Sequence, residues 1–150
     1  MVHYEGLFFD EEEINKMYEL ETHHLPLKHD EIHCTFAYKP KEEDLIDDLI
    51  GKEIDIYLTG YGHNDNNSGF EVEIPYEYLV YYKNYDKEGK IIKPHITVSV
   101  SGNAVPHQTR KLEFKKFDEK IKIKAIFGYW IKEEISEYIS FDKYKNSMTK

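Results

Sequence analysis

Apolar and polar residues follow short, readable periods along most of this chain. Residues 2–9 are rich in aromatic and β-branched side chains and stop at Asp10, which predicts a first strand. Asp10 suits a helix N-cap, with Glu13 three residues on and Glu11 and Glu12 in the first turn, where the helix dipole favours negative charge. Ile14, Met17, Tyr18 and Glu21 continue at helical spacing to about Thr22. Residues 22–30, with three histidines and Pro26, predict a loop, and residues 31–38 a second strand.

Pro40 can open a short helix over residues 41–50 that turns Leu45, Ile46, Leu49 and Ile50 inward and ends at Gly51. Ile54, Ile56 and Leu58 alternate with Asp55, Tyr57 and Thr59, the period of a half-buried strand. The polar run 64–69 is a turn, and residues 70–74 return as the antiparallel partner. Residues 75–89, with five tyrosines, read as a short helix plus a flexible loop. Another strand spans 93–100 and runs into a loop with Gly102 and Pro106. Residues 120–130 alternate once more, with Ile121, Ile123, Ala125, Phe127 and Tyr129 on one face. After Ile131, helix and strand both stay open. Strands and two helices mix without regular βαβ repetition, which predicts one α+β domain over residues 1–150, mainly antiparallel, with helices outside.

Two of these strands carry the same chemistry. Residues i and i+2 of a strand share a face, so His33 and Thr35 point one way and Ile32, Cys34 and Phe36 the other. In the later strand His95, Thr97 and Ser99 share a face opposite Ile96, Val98 and Val100. Burying the apolar trio drives each imidazole and hydroxyl to a polar face. Cleaving a phosphodiester needs a base for the incoming hydroxyl or water and an acid for the departing oxygen. Two imidazoles titrating near pH 6.5 can serve as both. Two threonine hydroxyls can donate to the non-bridging oxygens, where charge grows in the transition state. This chemistry calls for no metal and no cofactor.

Composition narrows the ligand rather than the reaction. With 150 residues and 40% hydrophobic content, the chain can bury a sizeable core. Its 13 tyrosines suit a wet cleft as well as a core rim. The net charge of −9 argues against wrapping a long duplex, whose affinity comes largely from Lys and Arg. A small anion in a local pocket is compatible with it. No stretch approaches the roughly 18 apolar residues of a membrane span, and residues 1–9 carry no secretory pattern. The single cysteine, Cys34, fits a reducing compartment and, on the core face, reads as a small buried hydrophobe. The cytoplasm is the expected location.

His33-Cys34-Thr35-Phe36 and His95-Ile96-Thr97-Val98 resemble the paired H-x-[ST]-x signature of the two-histidine (2H) phosphoesterase superfamily. Residues 6–10 with the helix after them, and residues 93–101 running into a Gly-containing loop, are similar to that family too. The resemblance covers most of the chain, but only the two motifs are specific. It implies a pseudo-symmetric, two-lobed domain with the motifs facing across a central cleft, and His33, Thr35, His95 and Thr97 as the catalytic set. Family members act on 2′,3′-cyclic phosphates, on small oligonucleotides or on RNA ends. One phage branch destroys the cyclic oligonucleotide messengers of bacterial CBASS immunity. A member of that branch would work in the host cytoplasm.

Base-stacking rings are expected in such a cleft. Tyr61 and Trp130 are the first candidates, then Tyr129, Tyr4 and Tyr57, with Ser101 as a polar contact beyond the second motif. Lys93 before that motif and Arg110 and Lys111 after it are basic residues that could attract a phosphate. His23, His24 and His29 cluster before the first motif, but no Cys or carboxylate spacing of a zinc site accompanies them. His63 and His107 are single loop residues. Beside cleavage of small, cyclic oligonucleotides stand two alternatives. One is opening of 2′,3′-cyclic phosphates in RNA repair, which a broad basic surface would favour. The other is a nucleotide sponge or sensor that no longer cleaves. Oligomeric state is not legible.

Overall fold

The computed structural model describes residues 2–28, 31–102, 106–132 and 138–139. They form a mixed α+β structure dominated by one antiparallel sheet. Eight strands build it: β1 (Val2–Phe8), β2 (Leu27–Lys28), β3 (His33–Tyr38), β4 (Glu53–His63), β5 (Asn67–Glu73), β6 (His95–Val100), β7 (Lys115–Lys132) and β8 (Tyr138–Ile139). Their order is β2-β6-β5-β4-β7-β1-β3, with β8 on β7. One α-helix, α1 (Glu11–Leu20), joins β1 to β2, and the Asp10 side chain accepts the Glu13 backbone N–H as the capping pattern predicts. No helix among the described residues is long and apolar enough to cross a membrane.

Three connections differ from the sequence expectation. Residues 41–50 form two separate 3-10 turns, Glu42–Asp44 and Asp47–Leu49, rather than one helix. The apolar spacing is right, and Ile46 and Leu49 are buried. A continuous helix, however, would set Glu43 over Asp47 and Asp44 over Asp48, like charges one turn apart. The loop 22–30 contains the two-residue strand β2, which pairs with Val100 and Ser99. The last long strand starts at Lys115, so one ribbon pairs with β4 along its first part and with β1 along its end. Of the tail after Ile131, undecided from sequence, Lys132 ends β7 and Tyr138–Ile139 form β8, and the rest lies outside the described residues.

The main core contains Leu7, Phe36, Leu58, Phe70, Ile96 and Phe127, with Met17 of α1 packed on it. Ile32, Cys34, Phe36, Ile96 and Val98 are all buried, as the face assignment predicts, but in β6 Thr97 and Ser99 of the expected polar face are buried too. Val100, at the strand end, is half-buried. A smaller cluster of Tyr4, Phe8 and Ile126, backed by Trp130, is separate from that core. The sheet order puts five strand spacings between β6 and β3, roughly 24 Å if the sheet were flat. Yet β3 and β6 are in contact, with the His95 backbone beside the Cys34 thiol. The sheet therefore curls until the two motif strands meet, with Cys34 and Ile96 inside the seam.

Candidate active site

His33 and His95, with Thr35 and Thr97, line one cavity of about 530 Å³. The two imidazoles are anchored alike. His33 Nδ1 lies 2.7 Å from the Glu31 carbonyl and His95 Nδ1 2.9 Å from the Lys93 carbonyl, in each case the residue two positions upstream. A carbonyl can only accept, so Nδ1 carries a proton in both rings. In the neutral form the lone pair then sits on Nε2, the atom that can take a proton.

The strands next to the motifs repeat the correspondence. Gly6 of β1 pairs with Thr35, and Gly69 of β5 pairs with Thr97. A β-bulge follows each threonine, with Phe36 and Val98 as the extra residues. Both glycines are required by the close approach: a Cβ would fall 2.2 Å from the Cys34 carbonyl oxygen or 2.1 Å from that of Ile96. Those carbonyls belong to the residues between histidine and threonine. The bulges bend each motif strand beside its reactive side chains.

The surroundings of the two histidines differ. Behind His33 stands a stack of rings, with Tyr4 at 4.3 Å and 21° and Trp130 beyond it at 5.8 Å and 3°. The Tyr4 hydroxyl is also 3.3 Å from His33 Nδ1. His95 instead has Arg110 nearby. Burial and the Arg110 charge outweigh the Lys93 carbonyl and hold the His95 imidazole below its ordinary pKa of 6.5. Thr97 donates to Thr109 Oγ1 at 2.7 Å, and that oxygen also accepts Asn67 Nδ2 at 3.1 Å, all three residues being buried. The hydroxyl of Thr97 is thus held by a buried network, whereas Thr35 faces the cavity half-buried.

Of the rings expected to stack on bases, only Tyr4 borders the cavity, and His33 covers one of its faces. Trp130 supports Tyr4 from behind. Tyr61 is buried in the core, its hydroxyl 2.6 Å from Ser68 Oγ. Tyr129 is buried too and donates to Asp47 at 2.7 Å. Tyr57 lies under the Lys120 ammonium, and Ser101 bonds Asn66; neither borders the cavity. Strand alternation cannot separate a ring facing solvent from one facing a second layer. Ser99 is likewise drawn off: buried, it donates to Glu21 Oε2 at 2.6 Å.

Other residues wall the cavity instead. Tyr38 and Tyr85 are largely exposed, at 58% and 51%, and so can offer a ring face. Tyr85 belongs to a small hairpin over residues 84–92, where it bridges to Ile91. The Asp86 carboxylate accepts the backbone N–H groups of Glu88 and Lys90 at the hairpin's tip. The Lys83 N–H bonds the Phe36 carbonyl, which ties the hairpin's base to the first motif strand. A tyrosine-rich segment was the sequence signal; its apposition to β3 was not.

Of the remaining histidines, His3 borders the cavity edge-on to Tyr38, whereas His23, His24 and His63 do not. His24 Nδ1 meets Glu21 at 2.7 Å, and His23 and His63 stack at 4.3 Å. His29 and the side chain of His107 lie outside the described residues. Among the described residues no three His, Cys, Asp or Glu side chains are arranged to hold a metal ion. Cys34 is fully buried and its thiol is pushed up to about 12 by burial, a poor nucleophile at neutral pH. No family model matches this chain, and no curated protein matches it.

Proposed function

We propose that the protein is a metal-independent phosphodiesterase of the two-histidine kind, cleaving small oligonucleotides, cyclic ones included, by general acid–base catalysis. One observation carries this reading: both His-x-Thr motifs border a single cavity, each imidazole tethered through Nδ1 to the carbonyl two residues upstream. The matched glycines and bulges support a further reading of the chain as two related lobes facing across a central cleft.

His95, held neutral, is the base, and His33 is the acid. His95 Nε2 takes the proton of the attacking oxygen as its bond to phosphorus forms. His33 Nε2 gives a proton to the departing oxygen as that bond breaks. Attack by a ribose 2′-hydroxyl leaves a 2′,3′-cyclic phosphate and a free 5′-hydroxyl; attack by water opens a cyclic phosphate. Thr35 and Arg110 face the non-bridging oxygens. The volume and the exposed Tyr38 and Tyr85 rings favour a ligand with bases. Destruction of cyclic-oligonucleotide immune signals in the cytoplasm is the biological role this chemistry fits.

Incubation with cyclic di- and trinucleotides in EDTA, with products resolved by chromatography, tests the reading. Wild type should turn over at least one of them. His33→Ala and His95→Ala should each lose about 10²–10⁴-fold. Turnover abolished by EDTA would sink the metal-free mechanism. Tight binding with the ligand intact after long incubation would identify a sponge.

A further inference from the structure

A second cavity, of about 750 Å³, adjoins the first and shares His95, Arg110, Ile92, Asp86 and Lys87 with it. Its chemistry is different. Lys87, Lys93, Arg110 and Lys111 all border it, in a protein whose net charge is −9. None of these four cations is in an ion pair among the described residues. The carboxylates around them are largely committed. Glu71 is bound to Lys116 and to the Thr59 hydroxyl, contacts that together with the field of Lys93 hold it below the ordinary carboxyl range against the opposing effect of burial. Asp86 is spent on the backbone of the hairpin tip. Glu88 is exposed.

Two elements converge to make this patch. Lys93 lies two residues before β6, and its own carbonyl holds His95. Arg110 and Lys111 end the 3-10 turn Pro106–Lys111, whose Thr109 holds Thr97. Burial and the Arg110 charge keep the His95 pKa down, and like charges gathered beside it repel one another, a repulsion that a bound anion would relieve. The scissile phosphate belongs between the two histidines, in the first cavity. The second cavity borders His95 but not His33, Thr35 or Thr97.

We infer that the second cavity is an anion subsite for another phosphate of the same ligand, one not being cleaved, held by Lys93, Lys111 and Arg110. The inference rests on the nucleotide reading above and deepens it. It assigns as preferred ligand a nucleotide with at least two phosphates, rather than one whose only phosphate is scissile.

Binding separates the possibilities. In a His33→Ala background, which removes the proposed acid, isothermal titration would compare three linear dinucleotides of one base sequence. The first has hydroxyls at both ends, the second a 5′-phosphate and the third a 3′-phosphate. A terminal phosphate at one end should tighten Kd about tenfold or more, and 0.5 M salt should erase most of that gain. Adding Lys93→Ala and Lys111→Ala should bring the ratio of the two dissociation constants close to one. Equal affinity for all three dinucleotides, or a gain that survives loss of both lysines, would overturn the subsite while leaving the phosphodiesterase reading intact. Failure of all three to bind would overturn the subsite, and the phosphodiesterase reading would fall only if no cyclic nucleotide were turned over either.

Discussion

At the scale of the residue, the two histidines look equivalent in sequence and are not equivalent in their surroundings. His33 is backed by Tyr4 and has its hydroxyl at hand, whereas His95 sits near a guanidinium. A positive charge nearby disfavours imidazolium, and burial acts in the same direction. On the proposed mechanism, the base limb of kcat/KM, which reports the free enzyme, should therefore lie below pH 6.5. Arg110→Gln lifts the electrostatic penalty and should move that limb toward higher pH, besides lowering the rate. A pH profile of the variant checks this, and an unmoved limb would show that Arg110 does not set the proton affinity of His95. Arg110 was visible in sequence only as a basic residue some way beyond the motif. The 3-10 turn that brings it back depends on contacts with β5 and β6.

At the scale of the element, alternation alone carried most of the strand assignments, because burial on one face leaves a period of two that needs no partner to be seen. It also placed the imidazoles and the apolar trio on opposite faces before any pairing was known. The bulges were not legible. Phe36 and Val98 continue the apolar pattern smoothly, and only the register against Gly6 and Gly69 shows them as extra residues. Gly69→Ala tests the importance of that close approach. The methyl carbon would meet the Ile96 carbonyl oxygen at 2.1 Å and the Thr109 methyl at 2.8 Å. Backbone atoms in a paired strand cannot yield by an ångström, so β6 must shift. A loss of about 1–3 kcal/mol or more is expected in chemical denaturation, together with a fall in kcat from displaced His95 and Thr97. Unchanged stability would mean that β5 and β6 separate easily. The acidic stretch 42–48 is the opposite case. Its apolar spacing favours a helix, but its charge spacing does not, and the two 3-10 turns bury Ile46 and Leu49 without aligning the carboxylates.

At the scale of the whole molecule, the curl of the sheet has consequences on the side away from the motifs. Glu5, beside the first bulge on β1, is fully buried, and neither carboxyl oxygen has a hydrogen-bond partner among the described residues. Burial, reinforced by Asp44 and Asp47, raises its pKa from 4.5 to about 8. The folded protein therefore holds this proton across a range in which the unfolded chain has lost it. Stability should be highest below pH 4.5 as far as this group is concerned, fall by up to about 1.4 kcal/mol per pH unit above it, and level off beyond about pH 8. Glu5→Gln removes the proton linkage. Thermal unfolding at pH 5 and pH 8 should show a smaller drop in Tm for the variant than for wild type; parallel curves would refute the assignment.

The sequence by itself determined the chemistry on offer: two imidazoles and two hydroxyls on polar strand faces, a buried thiol and a strand-dominated mixed fold. Those properties are local, set by a period of two and by which residues water rejects. Tertiary structure alone decided that β3 and β6, five strand spacings apart in the sheet order, meet at one seam. It also decided which rings border the cavity. Tyr61, Trp130 and Tyr129 went to the core or its backing, and Tyr38 and Tyr85 to the wall. Curvature accumulates over the whole sheet, from bulges and glycines whose effect depends on the strand opposite. No single segment carries that information.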